Sequence, residues 1–283
     1  IGLIVTVDGP GSLGDKQSFF VQVMSLSPLG GFDCGQIDFI DLPAQESLGQ
    51  ERYRFRAGRT GLLTLEAMFE HAAGNVDLAL IDSNGDQVAT SSSAFNYERI
   101  DQVVQQGEAF TLVVTGDNPS VHLRMTNLVT PGAGQVDVFG TYGDDTFTFR
   151  AGSTHAITIN DTVYSYDDST LDSVAFRGGL GDDTSVLTGT SGDEQVALAP
   201  GQVTMTGPGY RVDVLESRSV SVVSGGGHDS ATLTGSSQAD ALEAYPGIVK
   251  HTGPGFIHRV EGFKAVNTFG GVGAAANIYG SVG

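Results

Sequence analysis

Aspartate and glycine recur together in the second half of the chain, and their spacing is the first hint of chemistry. Gly179-Leu180-Gly181-Asp182-Asp183, Gly225-Gly226-Gly227-His228-Asp229 and Gly270-Gly271-Val272-Gly273-Ala274 each lead into a short β-prone run. Those runs end at Gly189, Gly235 and Gly280, 46 and 45 residues apart, and Gly207-Pro208-Gly209-Tyr210 returns as Gly253-Pro254-Gly255-Phe256 at 46. Carboxylates in glycine-rich turns supply hard oxygen ligands, so Asp144, Asp145, Asp182 and Asp183 are the candidate calcium ligands. The repeat also argues against a ligand set in every unit. Asp183 and Asp229 give way to Ala274, and Asp193 corresponds to Ala239. Aspartate that bonds its own turn backbone explains the same residues. No cofactor is required, and calcium is the candidate.

The remaining reactive groups fall into small sets. Gly227-His228-Asp229-Ser230 puts a base beside a hydroxyl, but a triad draws its members from separate elements and needs oxyanion donors. His251 and His258 fall on neighbouring strands, where a surface ladder is expected in preference to a zinc pair. Glu243 with Glu261, or Asp213 with Glu216, could face each other across a groove as in glycan-cleaving β-helices, and Lys250 and Arg259 lie near in sequence. No aromatic cluster accompanies them. Asp82, Asn84 and Asp86 alternate as in an EF-hand loop, yet Gln87 and Ser93 replace its glycine and glutamate. Asn84-Gly85 between two β-prone runs reads as a hairpin. Arg52, Arg54, Arg56 and Arg59 are the one basic cluster. Alternation puts Arg52, Arg54 and Arg56 on one strand face, opposite Tyr53 and Phe55. A solvated face paired with acids is the expectation, with an anion or glycan contact as the alternative. Cys34 is the only cysteine, so no intrachain disulfide forms, and it reads as a small buried hydrophobe.

Composition limits what such residues can do. Against 33 Asp and Glu stand 14 Lys and Arg, a net charge of -19 that disfavours nucleic acid and anionic lipid. Forty glycines, no tryptophan and 40% apolar residues describe a turn-rich, folded β protein. No run is long enough to span a bilayer as a helix. The start at Ile1, with no charged leader, suits a processed chain or an excised piece.

The elements that must position these groups are strands throughout. Residues 1–34 hold two alternating runs, 3–7 and 19–24, separated by Asp8-Gly9-Pro10-Gly11. From 35 to 130 the expected strands are 37–42, 52–56, 61–68, 76–82, 87–91, 98–104, 109–115 and 121–126, an antiparallel sandwich. From 131 to 283 fifteen strands follow one another at about nine-residue spacing. Three strands per turn would give coils of about 23 residues, so about five coils of a parallel β-helix are expected. Glycines would then mark its corners.

Two resemblances add to this. Glu51-Arg52-Tyr53-Arg54-Phe55-Arg56-Ala57-Gly58, then Asn75 to Gly85, then Gln106-Gly107 before Phe110-Thr111-Leu112-Val113-Val114, resemble the bacterial pre-peptidase C-terminal domain over about 90 residues. That resemblance implies a small jelly-roll-like sandwich, export, and a binding or spacing role without catalysis. Gly140-Thr141-Tyr142-Gly143-Asp144-Asp145 and Gly189-Thr190-Ser191-Gly192-Asp193 resemble repeats of large secreted surface proteins of planctomycete-type bacteria.

The expectation is an all-β chain in three segments: an N-terminal linking or assembly segment (1–34), a sandwich (35–130) and a solenoid (131–283). Its role would be structural or adhesive, secreted or at the cell surface, and not enzymatic. Its partners would be other copies of itself, adjoining chain segments or cell-surface glycans, without nucleic acid or membrane insertion. Assembly would join a donated strand at Ile1, Leu3, Val5 and Val7 to an uncapped end at Ile278, Tyr279 and Val282. An accessory module of a secreted hydrolase, binding calcium or carbohydrate, and a glycan-cleaving β-helix are the alternatives.

Overall fold

The computed structural model describes residues 25–26, 31–270 and 274–278. The runs expected at 3–7 and 19–24, and Ile1, Leu3, Val5, Val7, Tyr279 and Val282, lie outside the described residues. The chain divides into two compact units between Leu128 and Val129. No α-helix occurs among the described residues; strands and two short 3-10 turns account for its regular structure.

The first unit contains β1 (Ser25–Leu26), β2 (Phe32–Ile37), β3 (Phe39–Ser47), β4 (Gln50–Ala57), β5 (Gly61–Phe69), β6 (Asp77–Asp82), β7 (Gln87–Ser91), β8 (Tyr97–Val104), β9 (Ala109–Thr115) and β10 (Asn118–Asn127). They form one sheet ordered β1-β2-β4-β9-β6-β7 and another ordered β3-β10-β5-β8. Alternation is clearest in β4, where Tyr53 and Phe55 are buried while Arg52, Arg54 and Arg56 face outward. The two inner faces share a core that includes Ile40, Leu63, Leu65, Leu80, Leu112 and Met125. Each such side chain contributes about 1.5–3 kcal/mol relative to exposure. All pairs in these sheets are antiparallel except β2 on β4, which is parallel and shifts register between Asp33 and Gln36.

The second unit opens with β11 (Val129–Pro131), β12 (Gly134–Phe139), β13 (Thr146–Arg150), β14 (Thr154–Ile159), β15 (Thr162–Asp167) and β16 (Leu171–Arg177). It continues through β17 (Thr184–Thr188), β18 (Gln195–Ala199), β19 (Gln202–Gly207), β20 (Tyr210–Leu215), β21 (Ser219–Val223) and β22 (Ser230–Thr234). It ends with β23 (Ala241–Tyr245), β24 (Ile248–Gly253), β25 (Phe256–Glu261), β26 (Ala265–Phe269) and β27 (Ala275–Ile278). Two sheets result, β11-β12-β16-β20-β19-β18-β22-β26 and β15-β14-β13-β17-β21-β25-β24-β23-β27. They face each other: Phe147 of one stacks on Phe176 of the other, ring centroids 4.5 Å apart.

This is a β-solenoid of about four turns. Its coil has two faces, where three strands per coil and about five coils are expected from the spacing. The reason is that the chain does not run parallel throughout. It makes three antiparallel meanders, β13-β14-β15, β18-β19-β20 and β23-β24-β25, and parallel pairing joins successive rungs. Two-residue turns reverse it at Asn160-Asp161 and at the dipeptides Pro200-Gly201, Pro208-Gly209, Pro246-Gly247 and Pro254-Gly255. Proline presets φ at the first central position, and glycine takes the positive φ of the second, 75° at Gly201 and 85° at Gly209.

The rung spacing is therefore longer than the roughly 23 residues expected for a three-stranded coil. Thr146 pairs with Thr184, and Thr184 with Ser219, 38 and 35 residues on. The 46-residue period is a module of one meander plus two single strands. Leaving a meander, the chain crosses between the sheets three times before the next one, so successive meanders lie in opposite sheets.

Candidate functional site

The glycine-aspartate corners are built around an inward acid. Thr141 N–H donates to Asp145 Oδ2 at 2.5 Å, Thr190 N–H to Glu194 Oε1 at 2.9 Å, and Ser236 N–H to Asp240 Oδ2 at 2.9 Å. In each case the hydroxyl also bonds the acid while accepting the N–H two residues on. A hydroxyl and an acid four residues later thus close the corner, and all three acids are buried. A second acid extends the device across rungs: Asp183 Oδ1 accepts from Asp145 N–H at 2.9 Å, and Asp229 Oδ1 from Glu194 N–H at 2.7 Å. Burial pushes the Asp183 carboxyl up to about 6 and raises that of Glu194 as well.

Of the four calcium candidates, Asp145 and Asp183 are therefore interior groups that satisfy backbone N–H. Asp144 and Asp182 lie outside them. Asp144 Oδ1 accepts from Asp182 N–H at 2.7 Å, and Asp182 binds Arg218, whose hydrogen bond holds its carboxyl below the usual range. Among the described residues no group of three or more His, Cys, Asp or Glu is placed to hold a metal ion.

The other sets are taken apart by the fold. His228 is exposed beside Asp193, whereas Asp229 points into the core, so Gly227-His228-Asp229-Ser230 assembles no triad. Asp213 is held by Arg211, at 2.7 Å from both oxygens, and by Thr204; these bonds outweigh burial and lower its carboxyl. Arg259 pairs with Glu261 at 2.6 Å, and Lys250 stands in register with Glu243 and Arg259. His251 and His258 are opposite each other in register, but they are buried rather than forming a surface ladder. The hairpin at Pro254-Gly255 sets their phase, turning both rings inward against Phe256, with centroids at 5.4 and 4.8 Å. Burial, and then His251, lower His258 to about 4. Cys34 is buried too, its thiol pushed up to about 12 by burial and by Asp33.

The first unit carries a hollow on the outer face of its six-stranded sheet, of about 420 Å³. Its floor is a set of register neighbours on three adjacent strands. Asp33 of β2 lies beside Arg54 of β4, which faces Thr111 of β9; one step along, Gln36 lies beside Arg56, which faces Ala109. The depression has a simple cause. Gly35, in the register shift of β2, has open space above it, Ala109 is short, and the long side chains of Gln36, Arg54 and Arg56 stand around them. Asp82 and Ser83, at the β6–β7 turn, close the far side. Arg59, the remaining member of the basic cluster, pairs with Asp38 at 2.9 Å. The sequence pattern placed three arginines on one outward face; it did not reveal the hollow, because the shift at Cys34-Gly35 breaks the alternation of β2.

No helix among the described residues is long and apolar enough to cross a membrane. No protein-family profile matches the chain, and no curated protein matches it in sequence. Among solved structures it is similar to the pre-peptidase C-terminal domain of a collagenase from Bacillus anthracis, at 12% identity and a TM-score of 0.26 over 33% of this chain and 90% of that one. It is also similar to PliG of Aeromonas hydrophila, a periplasmic inhibitor of g-type lysozyme, at 7% identity and a TM-score of 0.24 over 33% of this chain and 97% of that one.

Proposed function

We propose that this is an extracellular structural or adhesive protein without catalytic activity, in which the solenoid is a scaffold that associates with further copies. One observation carries the reading: the corner acids, the residues most suited to chemistry, are turned inward and bonded to backbone N–H of their own and neighbouring rungs. Their chemistry builds the stack. The candidate carboxylate pairs are likewise engaged by arginine at Asp213 and Glu261.

Association is supported by the strands that are outermost among the described residues. β26 and β27 stand at the same end of their two sheets, and Phe269 and Ile278 on them are 60% and 78% exposed. Among the described residues no further strand pairs with their outer edges, and an edge strand can take up another strand. At the opposite end the outermost strands, β11 and β15, join antiparallel to their neighbours.

Sedimentation across a hundredfold concentration range, with electron microscopy of the same samples, tests this. Concentration-dependent association that Ile278→Lys reduces is expected. A monomer at every concentration, or association unchanged by Ile278→Lys and by Phe269→Lys, would overturn it.

A further inference from the structure

We propose that the hollow over β2, β4, β9 and β6 binds a uronic acid residue of an acidic polysaccharide. This goes beyond the scaffold reading and stands on a different unit of the chain.

The hollow has a basic centre and an acidic rim. In the centre, Arg54 and Arg56 rise from the same strand face two residues apart, in a chain that carries only 14 Lys and Arg against 33 acids. Arg56 donates one N–H to Gly107 O at 3.1 Å, and no carboxylate pairs with it among the described residues. A guanidinium has five N–H donors in a planar fork that matches a carboxylate. An anionic group therefore has a natural seat here.

The rim, with Asp33 of β2 at one flank and Asp82 of β6 at the other, selects what that anion is attached to. Asp33 Oδ1 accepts from Gly35 N–H at 2.9 Å, and Asp82 Oδ1 accepts from Asn84 and Asp86 N–H at 2.8 and 2.9 Å. These bonds fix both carboxylates at the rim while leaving acceptor capacity. A ligand made only of acceptors, such as a phosphate or a densely sulfated chain, would meet two negative charges there. One that combines a single anionic group with several hydroxyl donors satisfies both centre and rim. Thr111, Ser83 and Gln36 line the same hollow and suit further hydroxyls. The volume, about 420 Å³, is within the range of small-molecule sites, and the opening over Gly35 and Ala109 leaves room for a sugar ring. A hexuronic acid meets these requirements together, and an open hollow on a sheet face lets the polymer continue on either side.

The test is calorimetric titration of the whole chain with uronic acid oligomers, with the same oligomers reduced at the carboxyl group, and with a sulfated polysaccharide. Binding of the uronate oligomers is expected, with at least tenfold weaker affinity for the reduced ones. Arg56→Ala should weaken it about tenfold at unchanged melting temperature. Ala109→Leu, which fills the hollow from a surface position and keeps both arginines, should abolish it. Failure of the uronate to bind, equal binding of the reduced oligomers, or affinity unchanged by Arg56→Ala and Ala109→Leu would each overturn the assignment. Tighter binding of the sulfated chain would overturn the uronic acid specifically.

Discussion

The backbone N–H of Glu194 donates to Asp229 Oδ1 at 2.7 Å across 35 residues of sequence, while Glu194 receives the N–H of Thr190 at 2.9 Å. One acid thus closes its own corner and is fastened to the next rung by another. Removing either leaves a buried N–H without its acceptor, so Asp229→Ala and Glu194→Ala should each cost about 1–3 kcal/mol. Chemical denaturation measures it; a loss below the error of the fit would show that the corner acids do not hold the rungs.

Gly140 and Gly189, which lead two of the corner phrases, leave space for the acid of their own corner. A Cβ on Gly189 would come within 2.8 Å of Glu194 Oε2 and 2.9 Å of its Cδ. Gly189→Ala should therefore destabilise the native chain and much less so a Glu194→Ala background. A double-mutant cycle is expected to give a coupling of about 0.5–3 kcal/mol. Additive effects would contradict the packing described.

Asp183 and His258 pull stability in opposite directions with pH. In the fold Asp183 holds its proton up to about pH 6, against an ordinary value of 3.8, so the folded chain binds that proton more tightly than the unfolded one. Its contribution is full below about pH 4 and is lost as pH rises through 6. His258 titrates at about 4 in the fold and 6.5 outside it. Its contribution is full above 6.5 and is lost as pH falls through 4. Melting temperatures from pH 4 to 7 should therefore decline less on acidification in His258→Leu than in the native chain. Asp183→Asn should lose the part of the profile that falls between pH 4 and 6. Parallel profiles for all three proteins would refute both assignments.

Cys34 combines burial with a thiol pushed up to about 12, so its thiolate at neutral pH is roughly a thousandfold scarcer than that of an ordinary cysteine. Alkylation followed by mass spectrometry should show slow labelling in the folded chain and rapid labelling in denaturant. Equal rates would place the thiol at the surface.

Strand positions in the solenoid were legible because alternation of apolar residues marks one strand after another, and runs such as Val203-Thr204-Met205 keep that period. Direction was not. An apolar face reads the same whether a strand runs parallel or antiparallel to its neighbour, and the repeated glycines look alike at corners and reversals. A signal was present: proline directly before glycine at 200–201, 208–209, 246–247 and 254–255 marks a two-residue reversal, whereas the corners between sheets lack it. The corner lock was also visible, as Thr141 and Asp145, Thr190 and Glu194, Ser236 and Asp240 share one four-residue spacing. The interior placement of His251 and His258 follows only once the hairpin is known, since it sets which residues of β24 and β25 share a face. The hollow depends on a register shift at Cys34-Gly35, which no periodicity announces.

Three crossings per module give the solenoid a parity. A feature that recurs every 46 residues comes out on alternate sides, as the turns Pro208-Gly209 and Pro254-Gly255 do in opposite sheets. Gain or loss of a single module would carry all later surface residues to the other side, and only changes by pairs would keep them in place. Duplication within such a chain is therefore free to lengthen it by even steps without disturbing what each side displays.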